Sequence, residues 1–173
     1  MEMVSPVALI GDVGDFSSLL RQHQSMVFSL AFHFLRDRQA AEDVAQEVFL
    51  ELHRSMAKIK SAEHATFWLR RVTATKSIDV SRRLKRRTEV PLDEVEEPAA
   101  AGVMEEGSVA SERLRRLVAS LPEKQRMVVI MRYQEEMEPE EIADALEVPV
   151  NTVKSQLQRA LALLREKTTR GER

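Results

Sequence analysis

The sequence predicts an all-α fold: two small helical domains joined by a flexible acidic linker, the second containing a helix-turn-helix. Three observations carry this. Apolar residues recur every three or four positions through both halves of the 173-residue chain, the period of amphipathic helices. Glycine occurs only five times and aromatic residues make up 5%, a composition that suits helices better than a β-sandwich. Between the halves the periodicity fails, in a stretch holding Pro91, Pro98, Gly102, Gly107 and many acids.

The first helix follows Asp15, a residue type that caps helix N-termini. Phe16, Leu19, Leu20, His23, Met26, Val27, Leu30, Ala31 and Phe34 form its stripe. A second helix follows Asp37, with Ala41, Val44, Ala45, Val48, Leu52 and Met56 turned inward. The third is predicted from about Thr66 to Arg83, with Phe67, Leu69, Val72 and Ile78 buried and Trp68 at least partly so. Beyond the linker, Leu114, Leu117, Val118 and Leu121 make one stripe, and Pro122 marks a new helix start. That helix continues through Met127, Val128, Ile130 and Met131 to Tyr133. Pro139 opens a short helix bearing Ile142, Ala143 and Leu146, which ends at Glu147-Val148-Pro149. Val150, Val153, Leu157, Ala160 and Leu164 stripe the last helix. The predicted organisation is a flexible N-terminus over 1–14, a domain over 15–87, the linker over 88–108 and a second domain over 109–170.

Net charge is −2, which taken alone argues weakly against a nucleic-acid partner. The charge is sorted into blocks, however. Arg70 to Arg87 has eight bases against Asp79, a net +7; Thr88 to Glu112 has eight acids and no base; Asn151 to Arg173 carries a net +4. Two basic segments separated by an acidic one suggest two contact surfaces for a polyanion.

Glu140 to Arg159 has the pattern of a helix-turn-helix, in which a short helix braces a second that presents its N-terminal polar side chains to the major groove. With Val150, Val153 and Leu157 facing inward, Asn151, Thr152, Lys154, Ser155, Gln158 and Arg159 face outward. Amides, hydroxyls and cations are the groups that read base edges and hold phosphates. An ordinary helical hairpin with a solvated face has the same spacing; the shortage of acids on this face favours DNA.

Leu121-Pro122-Glu123-Lys124-Gln125-Arg126, Arg132-Tyr133, Glu140-Glu141-Ile142-Ala143 and Val148-Pro149-Val150-Asn151-Thr152-Val153-Lys154-Ser155 resemble the C-terminal domain of bacterial RNA polymerase sigma factors, in particular the extracytoplasmic-function (ECF) group. The resemblance implies that this domain binds the promoter's minus-35 element through Asn151, Thr152, Lys154, Ser155, Gln158 and Arg159. Ala41-Glu42-Asp43-Val44-Ala45-Gln46-Glu47-Val48-Phe49 is similar to the helix by which sigma factors dock on the polymerase β′ clamp. It implies a polymerase-binding face of Asp43, Gln46, Glu47, Phe49 and Leu50. Trp68-Leu69-Arg70-Arg71-Val72, Ile78-Asp79 and Arg82-Arg83 are similar to the segment that opens and holds the minus-10 element. Lys60, Ser61, His64, Trp68, Arg70, Arg71, Thr75, Lys76, Asp79, Arg82, Arg83 and Arg86 are the implied contacts. The segment from Lys58 to Ala65 is the implied loop that pockets a flipped base, and Trp68 reads better as a core or wedge residue than as a stacking platform.

The implied partners are core RNA polymerase (β′ clamp and β flap), promoter DNA and an anti-sigma factor. The chain departs from the family pattern at several positions. Thr75 stands where asparagine is usual, Glu138-Pro139 replaces a serine-aromatic pair, and Glu147 stands where the turn commonly has glycine. Gln156 and Leu161 stand where bases are common, and Glu135, Glu136, Glu138, Glu140 and Glu141 cluster just ahead of the recognition helix. These substitutions predict weak minus-35 contacts by the isolated domain.

Other classes fit less well. His23, His33, His53 and His64 show no ligand spacing, cysteine is absent, and no glycine-rich phosphate loop or nucleophile elbow occurs; neither an enzyme nor a cofactor is expected. A regulator binding duplex DNA through the helix-turn-helix alone leaves the Asp43-Gln46-Glu47 face unexplained, and a sigma mimic need not keep the Arg70 to Arg87 run. Met1 to Gly14 has no basic n-region, and nothing approaches the roughly 20 apolar residues of a membrane span. The protein is expected in the cytoplasm, with no membrane contact of its own.

Overall fold

A computed structural model describes residues 14–88 and 109–170. All of the predicted N-terminal segment but Gly14, and all of the predicted linker but Thr88, therefore lie outside the described residues. Those described form seven α-helices, α1 (Phe16–Leu35), α2 (Arg38–Ser55), α3 (Ala62–Thr88), α4 (Val109–Ala119), α5 (Glu123–Tyr133), α6 (Pro139–Leu146) and α7 (Val150–Arg170), with a 3-10 turn at Met56–Lys58. No strand occurs among them.

Local chemistry accounts for most of the boundaries. The Asp15 carboxylate accepts from the Ser18 N–H at 2.7 Å, and Asp37 accepts from Ala40 N–H at 2.9 Å, each satisfying a donor the helix leaves open. Arg36 ends α1 in the left-handed region, with φ 57°. Pro139 occupies the first position of α6, where its missing N–H costs nothing, and the Glu138 N–H donates to the Glu141 carboxylate at 2.8 Å.

The expected third helix is too short at both ends. α3 begins at Ala62, where Ser61 Oγ accepts the His64 N–H at 3.0 Å. It runs on to Thr88 through Lys85, Arg86 and Arg87, cations that suit the negative end of a helix dipole. The loop expected from Lys58 to Ala65 thus shrinks to the few residues before α3. Leu69 is fully buried, whereas Phe67, Trp68, Val72 and Ile78 are only half-buried. Leu114, expected in a buried stripe, is 56% exposed; Leu121 is the buried anchor beyond α4.

Helices α1, α2 and α3 pack around Leu19, Val27, Val44, Val48, Leu52 and Leu69. A second apolar cluster joins Met127, Ile130, Met131, Ile142, Val153 and Leu157 of the C-terminal helices to Leu30, Phe34 and Ala74 of the N-terminal ones. The two halves therefore share a seam, in which α1 and α3 lie against α4, α5 and α6.

Candidate nucleic-acid interface

On α7, Val153, Leu157 and Ala160 are buried, which fixes the rotation of the helix. Asn151, Thr152, Lys154, Ser155, Gln158 and Arg159 consequently all stand in solvent, as expected. The turn before α7 is held by Glu147, whose φ of 56° puts it in the left-handed region, where a non-glycine residue carries modest strain. Val148 N–H donates to the Ala143 carbonyl at 3.0 Å and closes the turn.

The acidic cluster ahead of α7 is dispersed. Glu140 pairs with Lys154 at 3.3 Å and Glu138 with Arg132 at 3.1 Å, while Glu141 is spent on its own helix start. Hydrogen bonds from its own backbone N–H and from Lys154 hold the Glu140 carboxyl below the usual range. Glu135 is buried and paired with Arg70 of α3.

The predicted polymerase face is a continuous strip on α2. Asp43, Gln46 and Glu47 are exposed, and Leu50 is 56% exposed beside them. Phe49 does not belong to that strip. It is 8% exposed and packs in the N-terminal core, because its position falls one residue round from Leu50, on the Val48 and Leu52 side. It forms the floor of an apolar groove between α1 and α2, whose walls include Phe16, Leu20, Phe28 and Leu50.

The predicted minus-10 face on α3 is the more altered. Lys60, Ser61 and His64 are tied together: the Lys60 N–H donates to His64 Nδ1 at 3.1 Å, and Ser61 caps the helix. Trp68 is half-buried against the N-terminal core, which favours the core or wedge reading. Thr75 is exposed, with Oγ1 donating to the Arg71 carbonyl at 3.0 Å; Asp79, Arg83 and Arg86 are also exposed. Lys76 leaves this face and reaches α2, 2.9 Å from Glu51 and 3.7 Å from Glu47.

Four bases of α3 meet carboxylates from the other half. Arg70 Nε donates to Glu135 at 3.1 Å, where the carboxylate side chain is 5% exposed. Arg71 donates to Glu147. Arg82 and Lys85 lie 3.6 Å and 2.9 Å from Glu123, which also accepts from Ser81 Oγ at 3.2 Å. Burial, which raises the Glu123 carboxyl, is outweighed by the bond and charge of Lys85 with Ser81 and Arg82, so its pKa lies below the ordinary value.

Arg126 completes the seam. Its guanidinium lies 4.9 Å over the Phe34 ring and donates to the Phe34 carbonyl at 2.8 Å, covering an open end of α1. Burial lowers its pKa, partly offset by the charge of Glu123. At the edge of the seam Arg36 lies 3.6 Å from Glu112. Behind it, burial and then the charge of Arg70 keep the His23 imidazole below its ordinary pKa. Glu123, Arg126, Glu135 and Arg36 are seam residues that helical periodicity does not single out.

Two family models match the chain in order: Sigma-70 region 2 over residues 19–87 and Sigma-70, region 4 over residues 111–164. Among curated proteins, the chain is 32% identical over 157 residues to the RNA polymerase sigma-E factor of Streptomyces coelicolor, covering 91% of this chain and 88% of that one. It is 28% identical over 170 residues to the ECF RNA polymerase sigma factor SigW of Bacillus subtilis, covering 90% of each. The fold is similar to that of the sigma factor RpoE, solved with the anti-sigma factor NepR from Bartonella quintana. The TM-score is 0.74 at 19% identity, over 88% of this chain and 95% of that one. It is also similar to CnrH, solved with the cytosolic domain of CnrY, with a TM-score of 0.64 at 21% identity over 89% and 87%.

Proposed function

Because the chain belongs to the ECF sigma factors of bacterial RNA polymerase, which are transcription initiation factors and not enzymes, we propose specific roles for its exposed faces. A sigma factor binds core RNA polymerase and directs it to promoter DNA. In this chain, 15–87 is the unit that meets core polymerase and the minus-10 element, and 109–170 is the unit that meets the minus-35 element. The observation that carries this division is the α7 face: all six predicted contacts, from Asn151 to Arg159, are exposed on a helix anchored by Val153, Leu157 and Ala160.

Asp43, Gln46, Glu47 and Leu50 form the docking strip for the β′ clamp, with an exposed apolar side chain among acids and an amide. Lys60, Ser61, His64, Arg70, Arg71, Thr75, Asp79, Arg82, Arg83 and Arg86 line the minus-10 strand, neutralising phosphate and holding bases out of the stack. No helix among the described residues is long and apolar enough to cross a membrane, in keeping with work beside polymerase in the cytoplasm. RpoE was solved with the anti-sigma factor NepR, and CnrH with the cytosolic domain of CnrY; an anti-sigma factor is the proposed restraint here as well.

The test is co-purification with core RNA polymerase followed by run-off transcription from genomic fragments. New promoter-specific transcripts are expected. Charge reversal of Asp43 and Glu47 to lysine should reduce polymerase binding at least about tenfold with helicity intact; unchanged affinity would remove α2 from the docking role.

A further inference from the structure

The groove between α1 and α2 is apolar and open. Its floor is Phe49 and its walls include Phe16, Leu20, Phe28 and Leu50, around a volume of about 790 Å³. The one charged side chain among the described residues that line it is Glu42, and that carboxylate is held by Arg38 at 2.8 Å. Such a cleft offers little to an ion, and covering it with apolar groups is favourable. Phe16 and Phe28, the first and last α1 residues of the lining, lie about 18 Å apart at about 1.5 Å per helical residue.

Residues 1–13 have the matching chemistry and the right point of attachment. Only Glu2 and Asp12 are charged among them, and Val7-Ala8-Leu9-Ile10 is an unbroken apolar run. They join the fold at Gly14, two positions before Phe16, itself a wall of the groove. Gly14 has φ 72°, in the left-handed region that glycine enters readily, so the chain bends as it enters α1 instead of continuing its line. Thirteen residues can extend about 43 Å at about 3.3 Å each, more than twice the α1 side of the groove. A run that ends four positions before Gly14 is therefore within reach of all of it.

We propose that the apolar run from Val7 to Ile10 seats in the groove between α1 and α2, and that core polymerase must displace it to dock. The displacement rests on the proposed assignment of the β′ clamp to α2, because Gln46 and Leu50 both line the groove and belong to the docking strip. A tethered occupant meets its seat at an effective concentration on the order of millimolar, which puts a separate apolar partner at a disadvantage. Apparent affinity for polymerase falls in proportion to the fraction of chains whose groove is open, so that one open chain in about five weakens it about fivefold.

The test uses the full chain, whose lack of cysteine allows a nitroxide to be placed at Ser5→Cys alone. Paramagnetic broadening is read at the methyl groups of Leu20 and Leu50 in the groove, with Leu157, buried on α7, as the distant reference. A second chain adds Val7→Ser, Leu9→Ser and Ile10→Ser, which keep the length and charge of the segment. Broadening of Leu20 and Leu50 is expected in the first chain and its loss at Leu50 in the second, with Leu157 sharp in both. Without the nitroxide, the serine chain should bind core polymerase about fivefold more tightly than the parent, and a Glu2→Gln, Asp12→Asn chain within about twofold. Broadening at Leu50 that the serines leave unchanged would overturn the seat. So would broadening that passes to a separately isotope-labelled chain in a mixture, which would put the segment on a second copy. Lost broadening with unchanged polymerase affinity overturns the displacement if charge reversal of Asp43 and Glu47 still weakens binding. If that reversal also has no effect, the α2 docking assignment itself has failed and the displacement falls with it.

Discussion

On α7 the donors from Asn151 to Arg159 stand in solvent, Lys154 alone of them reaching an acid, Glu140, in an exposed ion pair. On α3, Arg70, Arg71, Arg82 and Lys85 each meet a carboxylate from the opposite half of the molecule. Both helices are basic and long. The difference lies in what surrounds them: α7 is packed on one side only, while α3 is wedged between its own helices and α6. A basic face is thus available to a polyanion only where no internal acid has claimed it. Charge counted along the chain does not distinguish the two cases.

The largest effect expected from disturbing this contrast comes from Phe34, which is fully buried among residues mostly of the other half. Phe34→Ala should cost about 3–4 kcal/mol of stability in urea unfolding. A loss below about 1 kcal/mol would mean that the halves are apart in solution and that α3 is as free as α7.

Next in size is the response to salt. Lys154→Ala should weaken binding to duplex minus-35 DNA by several-fold and lower the salt slope by about one unit, as when one phosphate contact is lost. Arg82→Ala should do little to strand binding by the free chain, where Glu123 already neutralises it, and much more in the holoenzyme. Equal effects in both settings would erase the distinction between the helices.

Acid should loosen the seam. The Glu123 carboxyl has a depressed pKa when packed against Lys85 and Arg82. Its contribution is therefore complete above the ordinary glutamate value and is lost as pH falls through the lowered one. Scattering between pH 7 and pH 3.5 should show expansion at the acid end, with a smaller pH-dependent step in Glu123→Gln. The same step in both chains would assign the expansion to other carboxylates.

How far the sequence could be read follows from this geometry. The stripe from Leu19 to Phe34 is strongly apolar on one side, so α1 could be placed from its own residues, and Asp15 marked its start. The ends of α3 could not. Ala62 to Ala65 and Leu84 to Thr88 have no apolar period; a serine cap and the helix dipole extend the helix there. Phe49 is buried while its neighbour Leu50 is exposed, because one residue turns a side chain by about a quarter of a circuit. The seam was illegible for a different reason. Arg70 and Glu135 are 65 positions apart, and each on its own reads as a solvated charge.

The smallest prediction isolates what remains of the difference. Glu140 is the one acid of the cluster before α7 that pairs with a side chain of the proposed minus-35 face, and its pair with Lys154 is exposed on both sides, at 65% and 52%. Exposed pairs of this kind are worth little, so Glu140→Gln should raise duplex affinity by no more than about twofold, through relief of long-range repulsion. The gain should vanish at high salt, where such repulsion is screened. A gain of tenfold or more would mean that Glu140 restrains Lys154 as Glu123 restrains Arg82 on α3. In that event both DNA faces would be held by internal acids, and the contrast between the two helices would be one of degree.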